Sequence, residues 1–548
     1  MAAVIERQLV SEVPAIESRA EEKKKDDDEY RHMEVVEKAQ GLVGADLEGA
    51  MVAEQEESEM TFKEAIRDYK AAVFWSFAIS LCIIMEGYDT ALPGNFNGLP
   101  AFRQKYGVYV DAQSGYQLTA AWQTGLNYCG GVGSILSIFV TSGLQQKYGY
   151  RRIIQGGLAA MFCFVFLQFF AVNIVMLAVG YHLCGWAWGV FQASVVSYAS
   201  EITPVALRGY LTTYVNLCWI IGQFLAAGVL KAMSSRTDEW GFRIPFAIQW
   251  IWPIPLIILI NYAPESPWFL VRKGRLEEAT AVIIRIQKKG SKVDPRDTIA
   301  MMIRTDDHEK KVSAGTTYWD CFKGSDLRRT EIACFAWASQ NLCGLSFAGS
   351  FVYFLQQVGI SAEDSFSFNL GSVGMAFVGT ILSWFILNRF GRRTIMVYGS
   401  CFLTMMLLII GILTVSHANG AKWAQGVLMM LWVFIFDLSI GPLAYCIVGE
   451  TSSTRLRGLT VGLSRNAYNL VGMPFGTLFN YMLNPSAWNW GGYTAFFAAG
   501  TAAIVCIWVF FRLPEMRGRS YRELDILFER RVSARKFATT KVEAWEDQ

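Results

Sequence analysis

Glu86 and Asp89 lie three residues apart in IIMEGYDTAL, a stretch otherwise free of charge. On a helix that spacing puts both carboxylates on one face. An ionised carboxylate turned to hydrocarbon is costly, so at least one of the pair is expected to face an internal cavity, the setting a proton-carrying group needs. The same residues have a structural reading, as carboxylates near the outer headgroups or locked to an Arg. Arg465 likewise sits in an apolar stretch, where it either takes part in charge coupling or snorkels to the inner interface. Neutral amides recur in comparable surroundings: Gln192, Gln340, Asn341, Asn469, and the pair Asn216 and Gln223, which are seven residues apart and therefore two helical turns along one face. A buried amide needs a partner, either another helix or a neutral ligand rich in hydroxyl groups. The four His residues, at 32, 182, 308 and 417, are isolated from one another. No nucleophile–base or metal cluster is expected, and with it no enzyme activity, cofactor or metal.

The elements that must position these groups belong to two different polymers. Residues 1–70 hold 10 Lys/Arg and 19 Asp/Glu, and blocks such as EEKKKDDDEY cannot bury a core. The remainder of the 548 residues holds 39 basic and 28 acidic side chains, and stretches of roughly 20 residues run almost without charge. Twelve apolar segments follow, six between 71 and 262 and six between 329 and 512, with a polar stretch over 263–328. The expected organisation is an acidic tail (1–70), a six-helix bundle (71–262), a cytoplasmic helical linker (263–328), a second six-helix bundle (329–512) and a cytoplasmic tail (513–548). The loops with KYGYRR, LRG, NRFGRR and TRLRG carry nine Lys/Arg against four in the alternate loops, which puts both termini in the cytoplasm. The basic excess lies between apolar runs, so nucleic-acid binding is not expected. The eleven Cys lack CxxC spacing and read as small buried residues.

The two halves repeat. Glu201 and Arg208 of SEITPVALRG recur as Glu450 and Arg457 of GETSSTRLRG; Gly149 of KYGYRR recurs as Gly391 of NRFGRR; Pro264-Glu265 recurs as Pro514-Glu515. Duplicated six-helix units facing each other form a cavity near the bilayer midplane without exposing irregular backbone to lipid.

These motifs, with GYD at 87–89, PESPWFLVRKGR, QNLCG, GPLAYCIVGE and the block from Pro514 to Phe537, resemble the sugar porter family of the major facilitator superfamily. Within it, CGWAWGVFQ, PFAIQWIWP and LSRNAYN look most like the fungal α-glucoside permeases, the maltose branch. The resemblance implies an all-α membrane protein of twelve helices in two pseudo-symmetric bundles, resident in the plasma membrane, importing a sugar with a proton by alternating access. The expected partners are the sugar, the proton and membrane lipid, and the expected functional unit is a monomer. Proton coupling falls to Asp89, Glu86 and Arg465, and sugar contact to Gln340, Asn341, Asn216, Gln223, Gln192, Tyr445 and Asn469. Glu201, Arg208, Arg151, Arg152, Arg389, Arg392, Arg393, Glu450 and Arg457 are expected to gate the cytoplasmic end by ion pairs that form and break.

The chain departs from that pattern at several positions. Position 181, commonly charged in proton-coupled members, is Tyr181; His182 beside it points about 100° away on a helix. Tyr445 stands where the family usually has Trp, and Tyr468-Asn469 replaces an Asn-Trp pair, a site reshaped towards a larger substrate such as a disaccharide. Trp186 and Trp188 read as packing or interfacial residues. Asn388 and Gln146 replace the acids of the two basic motifs. The loss of charge at 181 keeps a facilitative uniporter in view, and a transporter-like sugar receptor would share the fold.

Overall fold

The computed structural model describes residues 60–111, 115–288, 294–313, 317–416, 419–453, 456–517 and 521–540. Most of the acidic tail and the end of the C-terminal tail lie outside the described residues, as do the side chains of Arg208 and Arg457.

The helices are long because their sequences run apolar over many turns, with interior prolines confined to Pro93, Pro245 and Pro474 among the long segments. In order they are α1 Phe62–Asp68, α2 Lys70–Phe96, α3 Pro100–Tyr106, α4 Ala120–Tyr148, α5 Tyr150–Phe169, α6 Ile174–Ile202, α7 Val205–Met233, α8 Trp240–Ile248 and α9 Pro253–Asn261. The polar stretch contributes α10 Pro267–Arg272, α11 Leu276–Ile286 and α12 Pro295–Ser313. Then come α13 Gly324–Leu342, α14 Leu345–Ala348, α15 Phe351–Gln357, α16 Ala362–Arg389, α17 Arg392–Val415, α18 Asn419–Leu438, α19 Ile440–Thr451, α20 Arg457–Leu483, α21 Thr494–Arg512 and α22 Tyr521–Glu529. Among the described residues, nine helical spans are long and apolar enough to cross a membrane. Three of the twelve expected segments fall short of that count. They correspond to α4, α20 and the broken run α13 to α15, whose polar side chains, among them Asn127, Gln340, Asn341, Arg465 and Asn469, lower their apolar character. A short antiparallel hairpin, β1 Val108–Asp111 with β2 Gly115–Gln117, was not expected from the sequence.

By contact density the chain divides into two units. The first comprises the described parts of Met1–Val73, Glu201–Leu207 and Glu265–Lys311. Here PESP is a helix start: Pro267 opens α10, and Ser266 caps it by accepting from Phe269 N at 3.2 Å. Ser266 Oγ also donates to Glu201, and Arg272 reaches Glu201 at 2.9 Å and Asp306 at 3.7 Å. Helix α1 opens on a capping box of Thr61 and Glu64, and its Asp68 carbonyl accepts from Lys288 N at 2.7 Å.

The second unit comprises Phe74–Ser200, Arg208–Pro264 and the described residues from Val312 onward. Its local architecture explains two further motifs. Glu515 of the PEMRGR block accepts from Arg392 N at 2.8 Å and Arg393 N at 3.1 Å, placing negative charge on the N-terminus of α17. Gly391 of NRFGRR makes room for it, since a Cβ there would meet Glu515 Oε2 at 2.0 Å. Gly391→Val should therefore expel the carboxylate and lower stability by about 1–2 kcal/mol. The expected readout is a lower melting temperature in detergent; an unchanged one would remove the capping role.

Candidate functional site

GYD at 87–89 is engaged residue by residue. A Cβ on Gly87 would meet the Trp219 carbonyl oxygen at 2.2 Å, so α2 and α7 cross without a side chain between them. Tyr88 OH donates to the Pro245 carbonyl at 2.9 Å. Asp89, fully buried, accepts from Trp188 Nε1 and from Gln249 Nε2, each at 2.5 Å. Two prolines shape this neighbourhood. Pro93 has no N–H for the Asp89 carbonyl one turn back, loosening α2 beside the acid. Pro253 likewise has no N–H for the Gln249 carbonyl one turn back, and the chain tightens to a 3₁₀ turn over Gln249–Ile251 between α8 and α9. That break carries the Gln249 amide that reaches Asp89.

Glu86 lies on the same helix, with Oε1 accepting from Gln192 Nε2 at 2.7 Å and Oε2 buried without a hydrogen-bond donor among the described residues. Arg465 of α20 is the cation within electrostatic reach of Glu86. It is held on aromatic faces, 4.7 Å from the Trp337 ring centroid and 4.6 Å from that of Tyr468. Trp337 also meets Tyr445 edge-on at 4.5 Å. The structure thus supplies an indole from α13 beside Tyr445, one of the two positions where the resemblance leads one to expect Trp.

A cavity of about 220 Å³ adjoins these groups, lined by α2, α4, α6 and α20; Thr90, Asn127, Ser134, Trp188, Gln192, Arg465 and Asn469 are its polar or hydrogen-bonding members. Of the expected contact residues, Gln192 and Asn469 reach this cavity, and so does Arg465, which is expected to take part in proton coupling. Gln340 and Asn341 do not line it: both are buried, Gln340 Nε2 donating to the Gly441 carbonyl at 3.0 Å and Asn341 Nδ2 to the Tyr468 carbonyl at 3.1 Å. Tyr445 is about half exposed beside Trp337, and Asn216 and Gln223 are half-buried on α7 away from the lining. His182 turns aside from Tyr181, as its place on the helix requires, and its Nδ1 lies 3.0 Å from the Cys129 carbonyl. Tyr181 is buried, and its hydroxyl has no hydrogen-bond partner among the described residues.

Sequence reasoning passed over Gln249, Trp337 and Asn127, and read Trp188 as a packing or interfacial residue. The signal for Trp337 was its position one turn before Gln340. A further carboxylate, Asp437 at the end of α18, lies close to Gly441, its Oδ1 3.5 Å from the position of a Cβ there.

Hydrogen bonds link the two halves of the sequence at one end of the helices. Arg103 donates to Gln356 Oε1, and Gln356 Nε2 to the Gly98 carbonyl at 2.9 Å. Asn480 Nδ2 reaches Thr124 Oγ1 at 3.2 Å, Asn484 Nδ2 the Leu118 carbonyl at 2.8 Å, and Tyr128 OH the Met473 carbonyl. At the opposite end, Glu450 is paired with Arg392 at 2.8 Å, inside the second half. Arg151 donates to Asn261 Oδ1 at 2.8 Å, Arg393 to the Phe510 carbonyl at 2.8 Å, and the Arg389 carbonyl accepts from Arg517. Arg152 is exposed.

A maltose permease of Saccharomyces cerevisiae is 40% identical over 509 residues, covering 92% of this chain and 83% of that protein. A general alpha-glucoside permease of the same yeast is 38% identical over 497 residues, covering 90% and 80%. In fold, the chain matches the xylose transporter XylE from E. coli in a partially occluded inward open conformation, with a TM-score of 0.67 at 16% identity over 82% of this chain and 100% of that one. The family model described as sugar (and other) transporter matches residues 75–528, and this chain, an all-α multi-pass membrane protein, belongs to that family.

Proposed function

We propose that this chain imports an α-glucoside disaccharide such as maltose together with a proton across the plasma membrane. The observation that carries the reading is one cavity with two kinds of wall. Amides and an indole suited to a neutral, hydroxyl-rich ring line it, and the same Gln192 and Trp188 hold the buried carboxylates Glu86 and Asp89. The similarity to yeast permeases whose names specify maltose and alpha-glucosides supports the substrate class.

In this reading twelve helices form two six-helix halves, α2 to α9 and α13 to α21, with both termini cytoplasmic. The halves rock about the cavity. The hydrogen bonds through Arg103, Gln356, Asn480 and Asn484 close the outer end, and the basic motifs with Glu201 and Glu450 close the inner end in the alternate state. At about 220 Å³ the cavity is below the usual range for ligand sites, roughly 300–1,000 Å³. Gln340 completes it when its amide leaves the carbonyl of Gly441.

The test is uptake in sealed proteoliposomes with an inward proton gradient. Labelled maltose should accumulate, and maltose should compete better than glucose. Sugar-driven proton uptake should appear in the absence of a pH gradient. Equilibration without accumulation or proton movement would make the chain a facilitative uniporter, and binding without flux a receptor.

A further inference from the structure

Asp89 is fully buried, yet its two oxygens are taken by neutral donors, Trp188 Nε1 on Oδ2 and Gln249 Nε2 on Oδ1. These donors differ in what lies behind them. Gln249 is itself fully buried, whereas Trp188 forms part of the cavity wall. Among the described residues, Trp188 is the cavity-lining side chain that hydrogen-bonds Asp89.

Its position is imposed by α4. A Cβ on Gly130 would meet Trp188 Cζ3 at 2.6 Å, and one on Gly185 would meet the Gly130 carbonyl oxygen at 2.2 Å. Helices α4 and α6 therefore cross in close contact, and the indole lies over the bare backbone of Gly130. No methyl group intervenes to hold the ring away from Asp89.

We propose that Trp188 is a positioning residue that links sugar in the cavity to the proton on Asp89, through one indole whose cavity side receives a pyranose face and whose N–H holds the carboxylate. This deepens the proton-coupled reading above and rests on it. A pyranose packing on the ring draws the indole towards the ligand. The bond to Oδ2 lengthens, leaving a buried oxygen without its donor, which is costly in low dielectric. A proton arriving on that oxygen restores the missing hydrogen. Sugar and proton then favour the same state, and by linkage each tightens the binding of the other.

The other titratable groups within electrostatic reach of Asp89 are Tyr88 and Glu86 of its own helix and Tyr181 and Cys184 of α6. Arg465 of α20 acts on Glu86. Gln249, from the turn between α8 and α9, is neutral. The indole N–H is thus the donor on Asp89 that a ligand in the cavity can reach.

The experiment measures the affinity of the purified full chain for maltose across pH 5 to 8 in the wild type, Trp188→Phe and Gly130→Ala. Where one proton accompanies each sugar, wild-type affinity changes by up to about tenfold per pH unit. Trp188→Phe keeps a ring but removes the N–H, and Gly130→Ala pushes the indole off its seat without removing it. Both should flatten the slope to less than about half of the wild-type value. Should one variant fold poorly, the other carries the test. A sloped wild type with unchanged slopes in the variants overturns the role of Trp188 and leaves proton coupling standing. A uniform loss of affinity at every pH overturns it as well, since that is what stacking or packing alone would give. A flat wild type removes the proton-coupled reading itself, and the proposal with it.

Discussion

Asp89→Asn is expected to abolish uphill accumulation of maltose while equilibrium exchange of labelled maltose continues. The Asn side chain has the shape of the protonated acid but cannot release a proton, so the carrier is fixed in its neutral form. With one proton per sugar, a gradient of one pH unit supports up to about tenfold accumulation, and in the variant the ratio should fall to one. The substitution is tolerable in the fold because of Gln249. The two Asp89 oxygens accept from Trp188 and Gln249, and the Gln249 Oε1 is unbonded. Turning the Gln249 amide over presents that oxygen to the new NH₂, while Trp188 keeps its acceptor. Glu86→Gln is the companion measurement, since Glu86 accepts from Gln192 and shares the helix face. Continued accumulation by Asp89→Asn would remove Asp89 as the carrier, and loss in Glu86→Gln alone would transfer the role to Glu86.

The parts of the molecule legible in the sequence were those that depend on local pattern. Uncharged runs of membrane length locate the helices, and helical spacing puts Glu86 and Asp89 on one face and turns His182 away from Tyr181. Family motifs carry long-range information only because their text is recognisable. Gly391 and Glu515 stand far apart in sequence, and nothing local says that one is small so that the other can reach the start of α17. The partners of Asp89 were illegible for the same reason. That Trp188 reaches a carboxylate depends on Gly130 in another helix, and that Gln249 does so depends on a break that Pro253 imposes after α8. Residue type reads Trp188 as a packing or interfacial ring, which is silent about its N–H. The amides show the limit from the other side: residue type marks Gln340 and Asn341 as groups needing partners, and tertiary structure decides that here the partners are backbone carbonyls.

That difference sets the expectation for Gln340→Ala, which should weaken maltose binding about 5- to 150-fold, the equivalent of about 1–3 kcal/mol for a lost buried hydrogen-bonding partner. Gln340 makes one described side-chain bond, to the Gly441 carbonyl, and its Oε1 has no described partner. A small rotation therefore exchanges one carbonyl for a sugar hydroxyl while the oxygen gains a donor. Asn341 is held more fully: Nδ2 on the Tyr468 carbonyl, Oδ1 accepting from Ser346 Oγ at 3.0 Å, and the amide pressed against Gly472, where a Cβ would come within 3.0 Å of Nδ2. Asn341→Ala should accordingly lower protein abundance more than affinity, by releasing α13 from α20, whereas Gln340→Ala should do the reverse. Measuring maltose affinity and thermal stability on equal amounts of both purified variants separates the two roles. Unchanged affinity with reduced stability in Gln340→Ala would leave Gln340 as a helix-joining amide. The sugar would then be recognised from the α4, α6 and α20 walls of the cavity, where Asn127, Gln192 and Asn469 already stand.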